Sequence, residues 1–440
     1  MSEDYDVVVV GARCAGSSLA RHLAKAGLSV VVLDKDEFPS DTPSTHVFQV
    51  EGVNALERLG VLERLRATGA PVVNHVHGLI GDMVVEMPWP LRPGDAGGAM
   101  CVRRPVLDSI LIEAARDAGA EVLTNTRVAT LLREDRRVTG VRTEGRDFGA
   151  RLVVGADGRG SIVARQVNAR KYNVTRSERF ACWGYYEDAA VPRPESAYLH
   201  RFGDEFFLAC PADAGLFLII QLPTGERVAE YRGDPDGAFD AHLANDPVLA
   251  GIVGPGRRTA PLRFMYRYDG YLRESAGAGW VLVGDSGHFK DPAPGQGISD
   301  ALRQAEALAP RIIEGLGGDD AALDDGLREW WRWRDEDAFE KHWFAQDLGA
   351  GGALPEVLAE LLRRLHAQGR FGDFVEIFNH RLRPSRVLTP PRLLGAAFSL
   401  LRRRDVDRRQ VVRDVRTAVG NEVRRRRLNR RPRYVDATAA

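Results

Sequence analysis

The stretch Tyr5-Asp6-Val7-Val8-Val9-Val10-Gly11-Ala12-Arg13-Cys14-Ala15-Gly16 decides the fold. An apolar run of strand character breaks at Gly11, and a helical pattern follows, with Leu19, Leu23, Ala24 and Ala26 closing at Gly27. The next apolar run, Val30 to Leu33, ends on Asp34. That is about twenty residues beyond the turn, where a dinucleotide-binding fold places the acid that accepts from an adenosine ribose. Gly11 permits the tight turn, Gly16 lets the helix pack on the strand, and the free N–H groups of the helix start suit a pyrophosphate. The middle glycine of the usual fingerprint is Arg13 here, so this segment alone also fits an ordinary glycine-rich strand-to-helix turn.

Two distant segments narrow the reading. Val153-Val154-Gly155-Ala156-Asp157-Gly158 reads as a buried strand running into a turn, with Ser161 and an apolar helix after it. Trp280-Val281-Leu282-Val283 is another buried strand. It ends in Gly284-Asp285 and continues to Asp291-Pro292-Ala293-Pro294-Gly295-Gln296-Gly297 before a helix from Ile298 to Leu308.

Together these motifs resemble the FAD-dependent monooxygenases of the p-hydroxybenzoate hydroxylase fold, a group that includes flavin halogenases and geranylgeranyl reductases. Within it the chain is similar to a bacterial set carrying Gly-Ala-Arg-Cys-Ala-Gly, the stretch Pro39 to His46, and Lys290-Asp291-Pro292. The likeness runs from Val7 to about Asn379 and leaves out the arginine-rich tail. It implies FAD as cofactor, with NADPH or NADH as a transient electron donor, since no second dinucleotide-binding unit is present. Gly11, Ala15, Gly16, Asp34 and Lys35 would hold the adenosine half, Arg104 the phosphate or ribityl region, and Gly284 and Asp285 a ribityl hydroxyl. Asp157 would border the FAD, and Pro292, Gly295, Gln296, Gly297 and Ile298 would meet the pyrimidine edge, where a helix start favours negative charge. Relatives often carry Asn at the position of Ser299, which leaves a side-chain contact there open.

The catalytic candidates are His46, as base or proton relay beside the flavin ring, and Lys290 and Pro292 in the last loop. A structural histidine at 46, a solvent-facing lysine at 290 and a surface arginine at 104 are the plainer alternatives. His288 is assigned to loop support.

The fold class implied is α/β: a Rossmann-like FAD-binding domain interleaved with a β-sheet substrate domain, plus a helical C-terminal region. The expected division gives the first domain residues 1–70, 100–179 and 262–345. Residues 71–99 and 180–261 form the substrate sheet, and 346–440 the helical region with its tail. His75, His77 and Leu79, then Met83, Val85 and Met87, show strand alternation in the first insertion. In the second, Trp183, Tyr185, Phe207, Phe217 and Gln221 are the candidate substrate lining, with plain core packing as the alternative. His75 and His77 share a strand face, but no further ligand accompanies them, so no metal site is assigned. Trp331-Arg332-Trp333 resembles the halogenase tryptophan pair but lacks the Ile-Pro that follows it, and reads as packing.

With 61 basic and 61 acidic residues the formal net charge is zero, which supplies no global field for nucleic acid. No transmembrane stretch is legible, and the polar start lacks signal-peptide character, so the expected location is cytoplasmic. Cys14, Cys101, Cys182 and Cys210 have no CxxC pairing and are expected as reduced core residues.

The resemblance implies oxygenation of an aromatic or other electron-rich small molecule through a flavin C4a-hydroperoxide. A CoA ester or carrier-protein-tethered substrate is included. A geranylgeranyl-type ene-reductase is the alternative, with a halogenase below it and a flavin-binding regulatory protein outside enzymology. The tail, Arg402 to Arg433, is expected as a solvated face or frayed terminus, or as a site for a substrate's anionic handle.

Overall fold

The computed structural model describes residues 3–44 and 46–435. Its central sheet is built on Glu3–Val10, which runs parallel to Val30–Leu33 on one side and to Asp147–Gly155 on the other, with Val7 opposite both Val30 and Leu152. Trp280–Leu282 and Glu121–Leu123 extend it outwards in parallel, and a β-ribbon, Val128–Glu134 with Arg137–Thr143, joins along Asp147–Gly155. Valine-rich strands buried on both faces are what such a sheet demands. Val7, Val9, Val30 and Val32 pack against Leu19, Leu23, Leu308 and Ile312 on one side, and Val8, Val10, Val31 and Leu33 against Phe148 and Val163 on the other.

The helices on this sheet include Cys14–Lys25, Arg104–Asp117 and Gly297–Leu316. All three strand ends that carry the glycine motifs point into one region, as expected of ligand crevices at the carboxyl ends of parallel strands.

The two β-rich insertions form a single second sheet. His75–Ile80 runs parallel to Ser196–Phe202, so that residues 121 apart in the chain pair side by side. The order continues through Glu205–Pro211 and Phe217–Gln221 to Ala181–Glu187. Arg263–Met265 also pairs with Ala181–Glu187, so this sheet extends past the expected boundary at 261.

The sequence reading saw only strands here, whereas Val228–Gly233, Pro235–Leu243 and Pro247–Val253 are helices on the outer face. The last two start at Asp-Pro pairs whose aspartates cap them: Asp234 accepts from the Gly237 N–H and Asp246 from the Leu249 N–H.

Asp320–Leu348 is one continuous helix across the expected boundary at 345, followed by Glu356–Ala367, Phe371–Phe378, Pro384–Val387, Pro390–Leu401 and Arg408–Arg430. The tail is therefore a docked helix and not a frayed end. Val411 is buried, and Asn429 Oδ1 accepts from Trp343 Nε1 and Asn173 Nδ2, both at 3.1 Å.

Candidate functional site: two cavities with a common wall

A cavity of about 870 Å³ opens where the three glycine motifs converge. Gly11 turns the first of them with φ +106°, and a Cβ there would lie 2.5 Å from the Ala156 carbonyl oxygen. Gly16 is needed for contact: its Cβ would fall 1.8 Å from the Gly11 oxygen. These two positions bring the start of the helix Cys14–Lys25 against the cavity, where Arg13, Cys14 and Ala15 line it. No side chain caps that helix and its first turn holds no acid, so its N–H groups stay available to an anion.

Arg13 stands where a glycine was expected because it has work elsewhere. It bridges Asp108 at 2.8 Å and Asp36 at 3.1 Å, and donates to Ser40 Oγ. Asp34 lines the cavity but already accepts from the Ala12 N–H (2.7 Å) and the Asp36 N–H (2.9 Å), leaving only its remaining lone pairs for a ribose. Lys35 is exposed at the rim.

Arg104 is buried, not at the surface. Its Nε and Nη2 donate to Asp108 Oδ1, while Nη1 has no partner among the described residues and the side chain lines the cavity. Asp285 lines it too. Burial raises its carboxyl to about 6, against the opposing pull of Arg159 and Arg104. Asp157 Oδ2 accepts from the Ile162 N–H at the start of the helix Ile162–Gln166, which Ser161 caps, and its Oδ1 is buried without a partner among the described residues.

An uncapped helix start, a guanidinium nitrogen to spare and carboxylates awaiting hydroxyl donors together suit the phosphates and polyol of FAD. Gly16, Gly284, Gly295 and Gln296 do not reach this cavity. Gln296 Nε2 instead donates to the Ile377 and Phe378 carbonyls, tying the start of Gly297–Leu316 to the C-terminal helices.

Lys290 is buried, against the solvent-facing alternative, and its ammonium lies 2.7 Å from Asp300. Asp300 also accepts from His380 Nε2 at 2.8 Å. Burial would raise the Asp300 carboxyl, but Lys290 and then His380 outweigh it and hold the group well below the carboxylate range. The lysine's charge is thus largely spent on an acid in the first turn of Gly297–Leu316, which would otherwise oppose an anion there. His288 lines the cavity, with Nδ1 3.4 Å from Gln304.

A second cavity, of about 90 Å³ and almost wholly apolar, lies behind the first. Val76, Leu208, Leu218 and Ile220 of the second sheet form one side of it, and Phe371, Phe374 and Phe378 the other. Two segments separate the cavities. Ser44 lines the large one while Val47 and Gln49 line the small one; Pro292 lines the large one while Ala293, Pro294 and Gly295 line the small one. Gln49 Nε2 donates to the Pro294 carbonyl at 3.0 Å and pins the segments together.

His46 sits in the first of these segments, in the left-handed region at φ +59°. Its Nδ1 bonds the Tyr185 hydroxyl, its ring stacks on Tyr185 and meets Trp183 edge-on, and its buried Nε2 has no partner among the described residues. Burial, then the Arg104 charge, lower its pKa to about 3, so it is neutral where the sequence reading expected titration near neutral pH.

Trp183 and Tyr185 thus face the wall, but Phe207, Phe217 and Gln221 do not. They lie on the opposite side of the sheet, against the helices of residues 228–253, where Gln221 bonds Tyr231 and the Phe239 carbonyl. Successive strand residues alternate faces, and the cavity takes Leu208, Leu218 and Ile220 instead. Those three, with Phe371, Phe374, Val375, Phe378 and Asp300, are candidate-site residues that the sequence reading does not include.

Residues 4–328 match the family model described as FAD binding domain. The chain belongs to this family of FAD-binding proteins. Among its curated relatives, rifampicin monooxygenase of Rhodococcus hoagii is 27% identical over 326 residues, which cover 71% of this chain and 64% of that protein. The chain thus matches less than two thirds of the length of that relative. Menaquinone reductase of Mycolicibacterium smegmatis is 30% identical over 336 residues, 72% of this chain and 78% of the relative. The structure of the flavin-dependent brominase Bmp2 superposes with a TM-score of 0.69 at 19% identity, covering 96% of this chain and all of the other. At that identity the likeness is one of fold.

Homologues of this chain include a monooxygenase, reductases and a brominase, and membership of the family makes FAD its cofactor. Among the described residues no helix is long and apolar enough to cross a membrane. Nor does any group of three or more His, Cys, Asp or Glu lie in a metal-holding arrangement there.

Proposed function

We propose that this protein is an FAD-dependent monooxygenase that uses NAD(P)H and O2 to oxygenate an aromatic or other electron-rich apolar molecule. The observation that carries the reading is the shared wall: a polar cavity whose lining suits FAD and a small apolar cavity of about 90 Å³ lie on either side of the segments that carry Ser44, Val47 and Gln49 and Pro292 to Gly295, which gives an apolar substrate a place to enter by widening the smaller one. Reduced FAD, when bound, supplies the reactivity toward O2.

The protein's residues supply the surroundings. Val76, Leu218, Ile220 and the Phe371–Phe378 helix exclude water and orient the substrate by shape. The start of Gly297–Leu316, with Asp300 neutralised by Lys290, directs N–H groups at developing negative charge. His46 lines neither cavity; neutral, with Nε2 unpartnered among the described residues, it acts from within the wall by holding Tyr185 and the segment beside the flavin site in place. Burial raises the Tyr185 phenol well above its usual range, so Tyr185 keeps its proton and steadies the imidazole through Nδ1.

The ene-reductase reading keeps one specific support, the reductase among the relatives at 30% identity. One experiment separates the two. An aromatic, quinone and CoA-ester panel is incubated with NAD(P)H under ¹⁸O2 and, separately, without oxygen. A product carrying ¹⁸O supports oxygenation; a product gaining two hydrogens anaerobically, with no ¹⁸O uptake in air, overturns it.

A further inference from the structure

The four most exposed large apolar side chains among the described residues are Val423 (64%), Val419 and Leu394 (59%) and Phe398 (57%), all in the last two helices. The same segment concentrates charge. Residues 402–433 hold fourteen arginines and four carboxylates in a chain whose formal net charge is zero.

On the last helix, geometry puts the two features on one face. At about 100° per residue, Val412, Val419 and Val423 (i, i+7, i+11) form a narrow outward stripe, with Arg416 and Arg427 along one side and Arg408 and Arg426 along the other. Val411, Arg425 and Asn429 lie on the far side of the helix and fasten it to the body, through the buried Val411, the 2.7 Å Arg425–Asp347 pair and the Asn429 bonds. Among the described residues, Arg408, Arg416, Arg424, Arg427 and Arg430 pair with no carboxylate. On the preceding helix Arg402 lies over the Phe398 ring at 4.2 Å.

We propose that this helix pair is a docking surface for an anionic lipid bilayer, which the protein binds peripherally. An apolar stripe between rows of arginines matches the boundary between acyl chains and headgroups: the valines enter the acyl region while guanidinium groups stay with the phosphates. A soluble phosphate ligand or a polynucleotide would use the arginines and leave the valines bare. A second copy of this chain would bring two strongly positive faces together. The surface is independent of the reaction assigned above, though Glu356–Ala367 links it to the helical unit whose Phe371–Phe378 helix lines the apolar cavity.

The test is sedimentation of the full-length, flavin-loaded protein with phosphatidylcholine vesicles, with and without one third phosphatidylglycerol. Wild type should pellet with the anionic vesicles at low salt and be released at high salt. Replacing Arg416, Arg427 and Arg430 by Gln should weaken binding about a hundredfold. Replacing Val412, Val419 and Val423 by Ser should weaken it roughly tenfold or more, with flavin content unchanged in both. The proposal fails if wild type does not pellet with the anionic vesicles or pellets equally with pure phosphatidylcholine. It also fails if the serine variant binds like wild type. Equal binding of RNA by wild type and the serine variant, together with that last result, would assign the arginine face to a polyanion.

Discussion

Asp285→Asn should weaken FAD binding and, at the same time, stabilise the flavin-free protein. The carboxyl lines the large cavity and no donor among the described residues bonds it, while burial lifts its pKa from 3.8 to about 6. A folded pKa above the unfolded one means that the apo protein carries a penalty for the ionised group. That penalty is absent below about pH 3.8, grows as pH rises, and is complete above about 6. A shift of that size corresponds to about 3 kcal/mol as an upper bound, and the group's opening to the cavity reduces this to about 1–2 kcal/mol.

Asparagine removes the penalty, so the apo variant should be the more stable protein at pH 8, by an amount that shrinks as pH falls below 6. In the complex the order reverses. A hydroxyl donated to a carboxylate is worth roughly 1.5–3 kcal/mol, so FAD should bind about 10- to 100-fold more weakly to the variant. Urea unfolding of stripped protein at pH 8 and pH 5, and flavin-fluorescence titration of the same samples, read the two quantities separately. Wild-type FAD affinity in the variant, or a less stable apo variant at pH 8, would refute the assignment.

Other substitutions probe the rest of the site. Gly11→Ala places a methyl group 2.5 Å from the Ala156 oxygen at φ +106°, and should cost at least about 1–2 kcal/mol and yield protein with little bound flavin, read from its visible absorbance. His46→Ala should retain FAD and NAD(P)H oxidation but release more hydrogen peroxide per product formed; unchanged coupling would leave the imidazole a purely structural role. Lys290→Met leaves the buried Asp300 carboxylate with only its His380 hydrogen bond, a loss of up to about 3–5 kcal/mol. Because Asp300 is held below its usual range, that deficit should be full at neutral pH and narrow in unfolding experiments as pH falls below about 4.

The parts of this site that were legible in the sequence are those whose chemistry constrains the backbone locally. Gly11, Gly16 and Asp34 could be read because a tight turn, a close helix–strand contact and a strand-end acid each leave a residue type at a set spacing. The lining of the substrate sheet was not legible, for a reason visible in its burial. Phe217–Gln221 is buried at every position, because the Phe371–Phe378 helix covers one face and the helices of residues 228–253 the other. Alternation of polar and apolar residues reports which face is inside only when one face meets water. In a strand reading Phe-Leu-Ile-Ile-Gln nothing distinguishes Phe217 from Leu218, so the sequence leaves open which of them faces the apolar cavity and which is plain core. The wall between the cavities was hidden differently. It depends on Gln49 reaching Pro294 across 245 residues, and on Lys290, Asp300 and His380 converging from separate elements. Each of those polar residues has a plain surface role available in sequence, and only the long-range packing that buries them removes it. The residues that set the reaction's surroundings are therefore those whose environment is made by distant chain segments, and FAD binding could be read from one chain far more fully than the choice among oxygenation, reduction and halogenation.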